Sequence, residues 1–194
     1  KVPGEIKLND LNGDGVITPE DRKIIGNGVP DFYGGFNNKL SFKGFDLGIF
    51  FVYRQGHTVN SQFHASNNSL FGRYNNLDVD YWTIDNPTNE FPRPNENQES
   101  PRNGSTLRYF DGSFIKLRNL SLGYNLPESI TEKLGMEKLR LTVSGQNLWF
   151  ISDYDTFDPE VSEDPPNPGD NGISLSSAVV PSTKQWSLSL NATF

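Results

Sequence analysis

From Lys184 to Phe194 apolar and polar residues take strict turns. Trp186, Leu188, Leu190, Ala192 and Phe194 share one parity, and Ser187, Ser189, Asn191 and Thr193 share the other. A period of two belongs to a β-strand with one greasy face and one wet face. The run also has the length, about 9–11 residues, that lets a tilted strand cross a bilayer. Any fold for this chain must therefore supply something for that apolar face to lie against, either a second sheet or lipid.

Composition narrows the class. Hydrophobic residues are only 34% of the chain, yet aromatics reach 12%, with 18 Gly and 13 Pro, and the mean hydropathy is -0.58. That mixture suits strands joined by long polar loops, and it argues against a helical or α/β domain. A net charge of -7 leaves no basic face for phosphate, so nucleic acid is not an expected partner. The absence of cysteine removes disulfide and thiolate chemistry. No apolar run reaches the length of a transmembrane helix and no hydrophobic leader is visible; the abrupt start at Lys1-Val2-Pro3 reads as that of a mature or excised chain.

The first distinct element is Asp10-Leu11-Asn12-Gly13-Asp14-Gly15-Val16-Ile17-Thr18-Pro19-Glu20-Asp21. Its spacing is that of an EF-hand-like calcium loop, with oxygen donors at the first, third and fifth positions, Gly at the sixth and an acid at the twelfth. Asp10, Asn12 and Asp14 would bind through side chains, Val16 through its carbonyl, and Asp21 would close the site. The bland alternative is an Asx-rich turn that binds nothing. With no second loop and no helix pair to open, a regulatory sensor is not expected.

Strands follow. Phe36, Leu40 and Phe42 share a parity, Lys43-Gly44 makes a tight turn, and Phe45, Leu47, Ile49, Phe51 and Tyr53 continue the apolar face, with Phe50 and Val52 interrupting the polar one. This predicts a hairpin. Residues 55–106 carry no period. Within them Tyr81-Trp82 are candidates to stack on a substrate or contact a partner, the competing reading being a small core inside the loop. A strand is predicted from about Leu107 to Leu126, with Leu120, Leu122 and Tyr124 on its apolar face and Lys116 and Arg118 at that face's charged end. Glu128 to Leu134 reads as a short helix stopped by Gly135. Leu139, Leu141, Val143 and Gly145 then alternate with Arg140, Thr142, Ser144 and Gln146, ending at Trp149-Phe150. In the loop 151–183 the seven acids Asp153, Asp155, Asp158, Glu160, Glu163, Asp164 and Asp170 meet no Lys or Arg of the same segment. They are expected to be solvated, with a second cation site as the lesser reading.

Alternation alone also fits a sandwich. Two further regularities favour a transmembrane barrel. The short connections 43–44 and 127–138 lie at one end and the long loops 55–106 and 151–183 at the other, as in outer-membrane barrels. Tyr53, Tyr124, Trp149 and Trp186 sit near strand ends, where aromatic girdles belong. Barrels begin at about eight strands, so these few are expected to be part of a longer protein.

Several stretches also resemble the SusC/RagA family of TonB-linked outer-membrane transporters of Bacteroidetes. They are Asp10 to Gly15 through Ile24-Ile25-Gly26-Asn27, Pro30-Asp31-Phe32-Tyr33-Gly34-Gly35-Phe36-Asn37-Asn38, Tyr81-Trp82-Thr83, Asn86-Pro87-Thr88-Asn89 and Pro92-Arg93. Asp111-Gly112-Ser113-Phe114-Ile115-Lys116-Leu117-Arg118-Asn119-Leu120-Ser121-Leu122-Gly123-Tyr124, Ser144-Gly145-Gln146-Asn147-Leu148 and Phe157-Asp158-Pro159-Glu160 continue the likeness in order. The resemblance implies an all-β chain of antiparallel strands forming the C-terminal part of a barrel of about 22 strands, with long extracellular loops and a plug elsewhere. Residues 1–30 would form an extracellular loop with the calcium motif, and 31–194 the barrel strands and loops. It further implies residence in the cell outer membrane and import of glycans or peptides. The partners implied are a SusD-like surface lipoprotein, outer-membrane lipid, and TonB reached through an N-terminal part not in this chain. The competing readings are a soluble calcium-stabilised extracellular β-sandwich and, less favoured, an enzyme. Glu160 and Glu163 lie in a Pro/Gly-rich loop without an apolar pocket pattern. His57 and His64 match no metal spacing and no obvious nucleophile, so no enzymatic activity is expected.

Overall fold

The computed structural model describes residues 2–67, 70, 77–97, 105–154, 158–160, 173–175 and 182–194. Two compact units contain them. One holds the described residues of 30–57, 111–161 and 180–194, and the other those of 1–29, 58–110 and 162–179.

The strands are β1 (Phe32–Phe42), β2 (Phe45–Gln55), β3 (Thr58–Ser61), β4 (Tyr109–Asp111), β5 (Phe114–Asn125), β6 (Lys138–Ser152), β7 (Ile173–Leu175) and β8 (Gln185–Thr193). The first unit is one five-stranded sheet in the order β1-β2-β5-β6-β8, every neighbouring pair antiparallel. Lys43 and Gly44, at φ 47° and 86°, close the β1–β2 hairpin, the left-handed pair that a two-residue turn between twisted strands requires. Between β5 and β6 stand the short helix α2 (Glu128–Thr131) and a 3-10 turn, Glu132–Leu134, ended by Gly135 in the left-handed region, as the sequence predicts. The sheet is open: β1 and β8 are its edges and do not pair with each other.

Registration sorts the side chains by face. Phe42, Phe45, Tyr124, Leu141 and Leu190 make one cross-strand row. Leu40, Leu47, Leu122, Val143 and Leu188 make the next row on the same face. The opposite face carries Ser41, Asp46, Gly123, Thr142 and Ser189, then Lys39, Gly48, Ser121, Ser144 and Ser187. The apolar face is uncovered. Leu188 is 76% exposed, Leu190 63%, Val143 45% and Leu141 41%, so among the described residues no second layer packs on it.

One expectation needs correcting. Parity alone puts Lys116 and Arg118 on the apolar face, but the ladder slips at this level. Phe50 and Phe51 face Asn119 and Leu117, so β5 carries an extra residue, Arg118. On the other side Leu117 and Asn119 face Trp149 and Gln146, with Asn147 at φ 52°, a conformation Asn tolerates better than most residues. A bulge inverts the parity of everything beyond it. Ile115 and Leu117 therefore join Leu120 and Leu122, while Lys116 joins Asn119 and Ser121 on the polar face.

The second unit is irregular. It contains the sheet β4-β3-β7, whose β3–β7 pair is parallel, a departure from the all-antiparallel expectation. The helix α1 (Gln62–Asn67) follows β3, and the strand predicted from Leu107 is two pieces, β4 and β5. Among the described residues only Val59, Leu70, Phe114 and Tyr154 are buried hydrophobics. Among the described residues neither unit shows a core of ordinary size, so the large sheet rests chiefly on its hydrogen-bonded ladders.

Candidate functional site

The polar face of the large sheet holds the most developed cluster. Lys116 is buried there although it is a lysine, which requires partners for all three of its N–H groups. Its Nζ donates to Asp158 Oδ2 at 2.5 Å, Glu160 Oε2 at 3.0 Å and Ser182 Oγ at 2.9 Å. Ser182 Oγ in turn donates to Asp158, and Arg118 pairs with Glu160. Lys116, Arg118, Glu160 and Ser182 border a cavity of about 670 Å³ that Phe50, Asn119, Gln146 and Asn147 also line. The acids of the long loop were expected to be solvated. Asp158 and Glu160 instead neutralise the two cations that the bulge turns inward. Asp155, Glu163, Asp164 and Asp170 lie outside the described residues.

Nearer the hairpin end, Arg140 of β6 reaches across β5 to Asp46 of β2 at 2.5 Å and to Asn125 Oδ1 at 2.9 Å. Gly123 makes the crossing possible, since a Cβ there would come within 2.7 Å of the guanidinium carbon.

His57 lies just beyond β2, buried, with both ring nitrogens lacking a hydrogen-bond partner. Burial, helped by the charge of Arg54 and opposed by Asp111, holds its pKa below the ordinary 6.5. The neutral ring is thus the one the fold accepts, and His57 costs stability as pH falls through 6.5. His57→Phe is expected to remove that part of the pH dependence and to raise stability by about 1–3 kcal/mol. Thermal unfolding near pH 5 and near pH 8 measures both, and an unchanged acid limb refutes it.

His64 does have a hydroxyl neighbour: Ser61 Oγ lies 2.8 Å from its Nδ1 and accepts its backbone N–H at 3.3 Å. Both residues are buried and the Phe110 ring covers the imidazole, centroids 4.4 Å apart. The pair caps the start of α1; it is not presented to a substrate.

The loop 10–21 is curled by its own side chains. Asp10 accepts N–H bonds from Gly13 at 2.7 Å and Gly15 at 2.8 Å. Asn12 Oδ1 accepts from Asp14 at 3.0 Å, and Asp14 Oδ1 from Val16 at 2.8 Å. Asp21 accepts from Thr18 at 2.7 Å and Leu11 at 2.8 Å. Those bonds, Thr18's first, hold its carboxyl below the usual carboxylate range. The donors are all oxygens, the chemistry calcium takes. Among the described residues no three acidic or imidazole groups converge as a metal cluster, so the Asn12 amide and the Val16 carbonyl would have to complete the set.

Tyr81 and Trp82 behave differently from each other. Trp82 packs on Gly4, where a Cβ would meet the indole at 2.5 Å, and its backbone N–H donates to Phe91 O at 3.1 Å. Tyr81 bridges to Phe91 and stays exposed. Gly4, Trp82, Phe91 and Pro92 line a cavity of about 350 Å³.

No family model matches the chain. Over 99% of its length it is 37% identical to TonB-dependent receptor P3 of Formosa agariphila, and over 100% it is 33% identical to TonB-dependent receptor P26 of the same bacterium. It spans 19% and 20% of those two relatives. It superposes on the RagAB peptide importer in the open-open state with a TM-score of 0.65 at 25% identity, over 89% of this chain and 18% of that one. With the RagAB peptide transporter the TM-score is 0.67 at 23% identity, over 92% and 19% of the two chains, a likeness of fold. No helix among the described residues is long and apolar enough to cross a membrane, which leaves strands unaddressed.

Proposed function

Since the chain is, over its full length, a homologue of TonB-dependent receptors, we propose that it supplies five strands to the wall of a SusC-type outer-membrane transporter. The observation that carries this is the uncovered apolar face with a polar face behind it. Lipid is the neighbour such a face requires, and a lumen is what the hydroxyl-bearing face lines. A soluble sandwich would need a second layer, and among the described residues none covers Leu188 or Leu190. In this reading the complete receptor imports glycans or peptides, delivered by a SusD-like lipoprotein on the long-loop side and driven through TonB. Tyr81 is the exposed member of its pair and the better candidate for partner contact. The reading assigns no catalytic residue. It predicts that the complete receptor sediments with the outer membrane and needs detergent for release; recovery as a water-soluble monomer refutes it.

The loop 10–21 is proposed to hold calcium through Asp10, Asn12, Asp14, the Val16 carbonyl and Asp21, stiffening an extracellular loop. Calorimetry is expected to register calcium heat that Asp14→Ala abolishes, since an all-oxygen site loses one of few anionic ligands. The low pKa of Asp21 adds a pH signature: its contribution is present above the usual carboxylate range and is lost as pH falls below it. Absence of calcium heat in the unmodified loop removes the proposal.

A further inference from the structure

One cross-strand row on the polar face stands apart. Asn37 of β1 faces Phe50 of β2, Phe50 faces Asn119 of β5, Asn119 faces Gln146 of β6, and Gln146 faces Gln185 of β8. Four of these five side chains end in a carboxamide. Neighbouring strands lie about 4.8 Å apart, so the amides recur at that interval except where the phenyl ring interrupts. They do not bond to one another. Among the described residues the side chains of Asn37, Asn119 and Gln146 have no hydrogen-bond partner, and that of Gln185 makes one long bond, 3.4 Å, to Thr183 Oγ1. The row is therefore not consumed in holding the sheet together.

Its surroundings are uncharged in sum. On one side the row Ser121, Ser144 and Ser187 presents hydroxyls. On the other, Lys116 is compensated by Asp158 and Glu160, and Arg118 by Glu160. Lys39, at the β1 end of the serine row, is the exception. Phe50, Asn119, Gln146 and Asn147 open onto the 670 Å³ cavity.

We propose that this carboxamide row is a binding rail for a neutral, hydroxyl-rich chain, an uncharged oligosaccharide laid across the strands. A carboxamide holds two N–H donors and a carbonyl acceptor in one plane, which suits adjacent hydroxyls that must both give and receive. The Phe50 ring offers an apolar face to the C–H side of a sugar ring, the usual division of labour in a polar ligand site. A ligand with ionised side chains or termini would bring charges that this stretch of wall leaves unpaired. The rail rests on the importer reading, because that reading makes the polar face a lumen.

The test uses the complete receptor in detergent, titrated calorimetrically with uncharged xylan and β-glucan oligosaccharides and, in parallel, with an end-blocked Gly/Ser peptide. Asn119→Ala with Gln146→Ala is expected to weaken oligosaccharide binding about tenfold or more, as the loss of two net hydrogen bonds implies, while heat-modifiable migration of the folded barrel is unchanged. Phe50→Leu is expected to weaken it as well. Undiminished affinity in the double variant overturns the rail, as does absence of oligosaccharide heat in the unmodified receptor. A loss seen only with the blocked peptide overturns the ligand class. A water-soluble receptor sinks the importer reading and with it the rail as a lumen site, whereas undiminished affinity of the double variant in a detergent-extracted receptor overturns the rail alone.

Discussion

Lys116→Met is expected to cost about 3–5 kcal/mol, the largest effect of any single substitution in the polar cluster. The ammonium is 2% exposed and the Asp158 carboxylate 3%. Removing the cation leaves a buried anion held by one hydroxyl and the Glu160 backbone N–H, with Arg118 engaged on Glu160. The segments around Asp158 and Ser182 would lose their attachment to β5, so limited proteolysis should cut there sooner and the unfolding midpoint should fall. A companion variant separates this from a general packing defect. Lys116→Met combined with Asp158→Leu exchanges the ion pair for apolar groups, which is often close to neutral in net effect. Most of the loss should return. A single variant as stable as the parent would mean that the pair is solvated and holds nothing.

Leu188→Arg should be the second severe change, and its value lies in comparison with Ser189→Arg. The two residues are adjacent on β8 but face opposite sides, opposite Val143 and Thr142 respectively. Leu188 lies in the row between the aromatics Trp186 and Trp149 on one side and Phe42, Phe45 and Tyr124 on the other. An arginine near the bilayer midplane costs about 2–4 kcal/mol on the lipid face of a barrel, whereas lumen positions tolerate it. Denaturant titration of the receptor refolding into bilayers measures both. In water the two exposed sites would respond alike, so equal effects would take lipid away from the apolar face.

How much of this was readable in advance depends on whether a residue's environment is periodic. The β8 alternation, the β1–β2 hairpin at Lys43-Gly44 and the helix stop at Gly135 all appear where strand period, turn chemistry and capping predict them. Parity puts Lys116 on the wrong face because it carries across a strand only while the ladder is unbroken. Nothing local marks Arg118 as the extra residue; the slip shows only against β2 and β6. A hint exists nonetheless, since two cations on a strand face of otherwise apolar parity call for a reason, and the acids of the next long loop supply it. The Asp158 partnership spans 42 residues, beyond the reach of any short-range pattern. Strands of three or four residues, such as β3, β4 and β7, are too short to display a period. The carboxamide row was equally hidden, because a row is a property of registration between strands.

The rims of the sheet carry a practical consequence. Along β1 and β8 one side of the backbone has no neighbouring strand among the described residues, and in hydrocarbon every such N–H and C=O is costly. In water the same bare seams are adhesive, because each is a template for another ribbon. This stretch expressed by itself should therefore polymerise seam to seam and come down as insoluble fibres or inclusion bodies, however well its hairpins form. Crystallisation or binding work would have to keep both seams stitched.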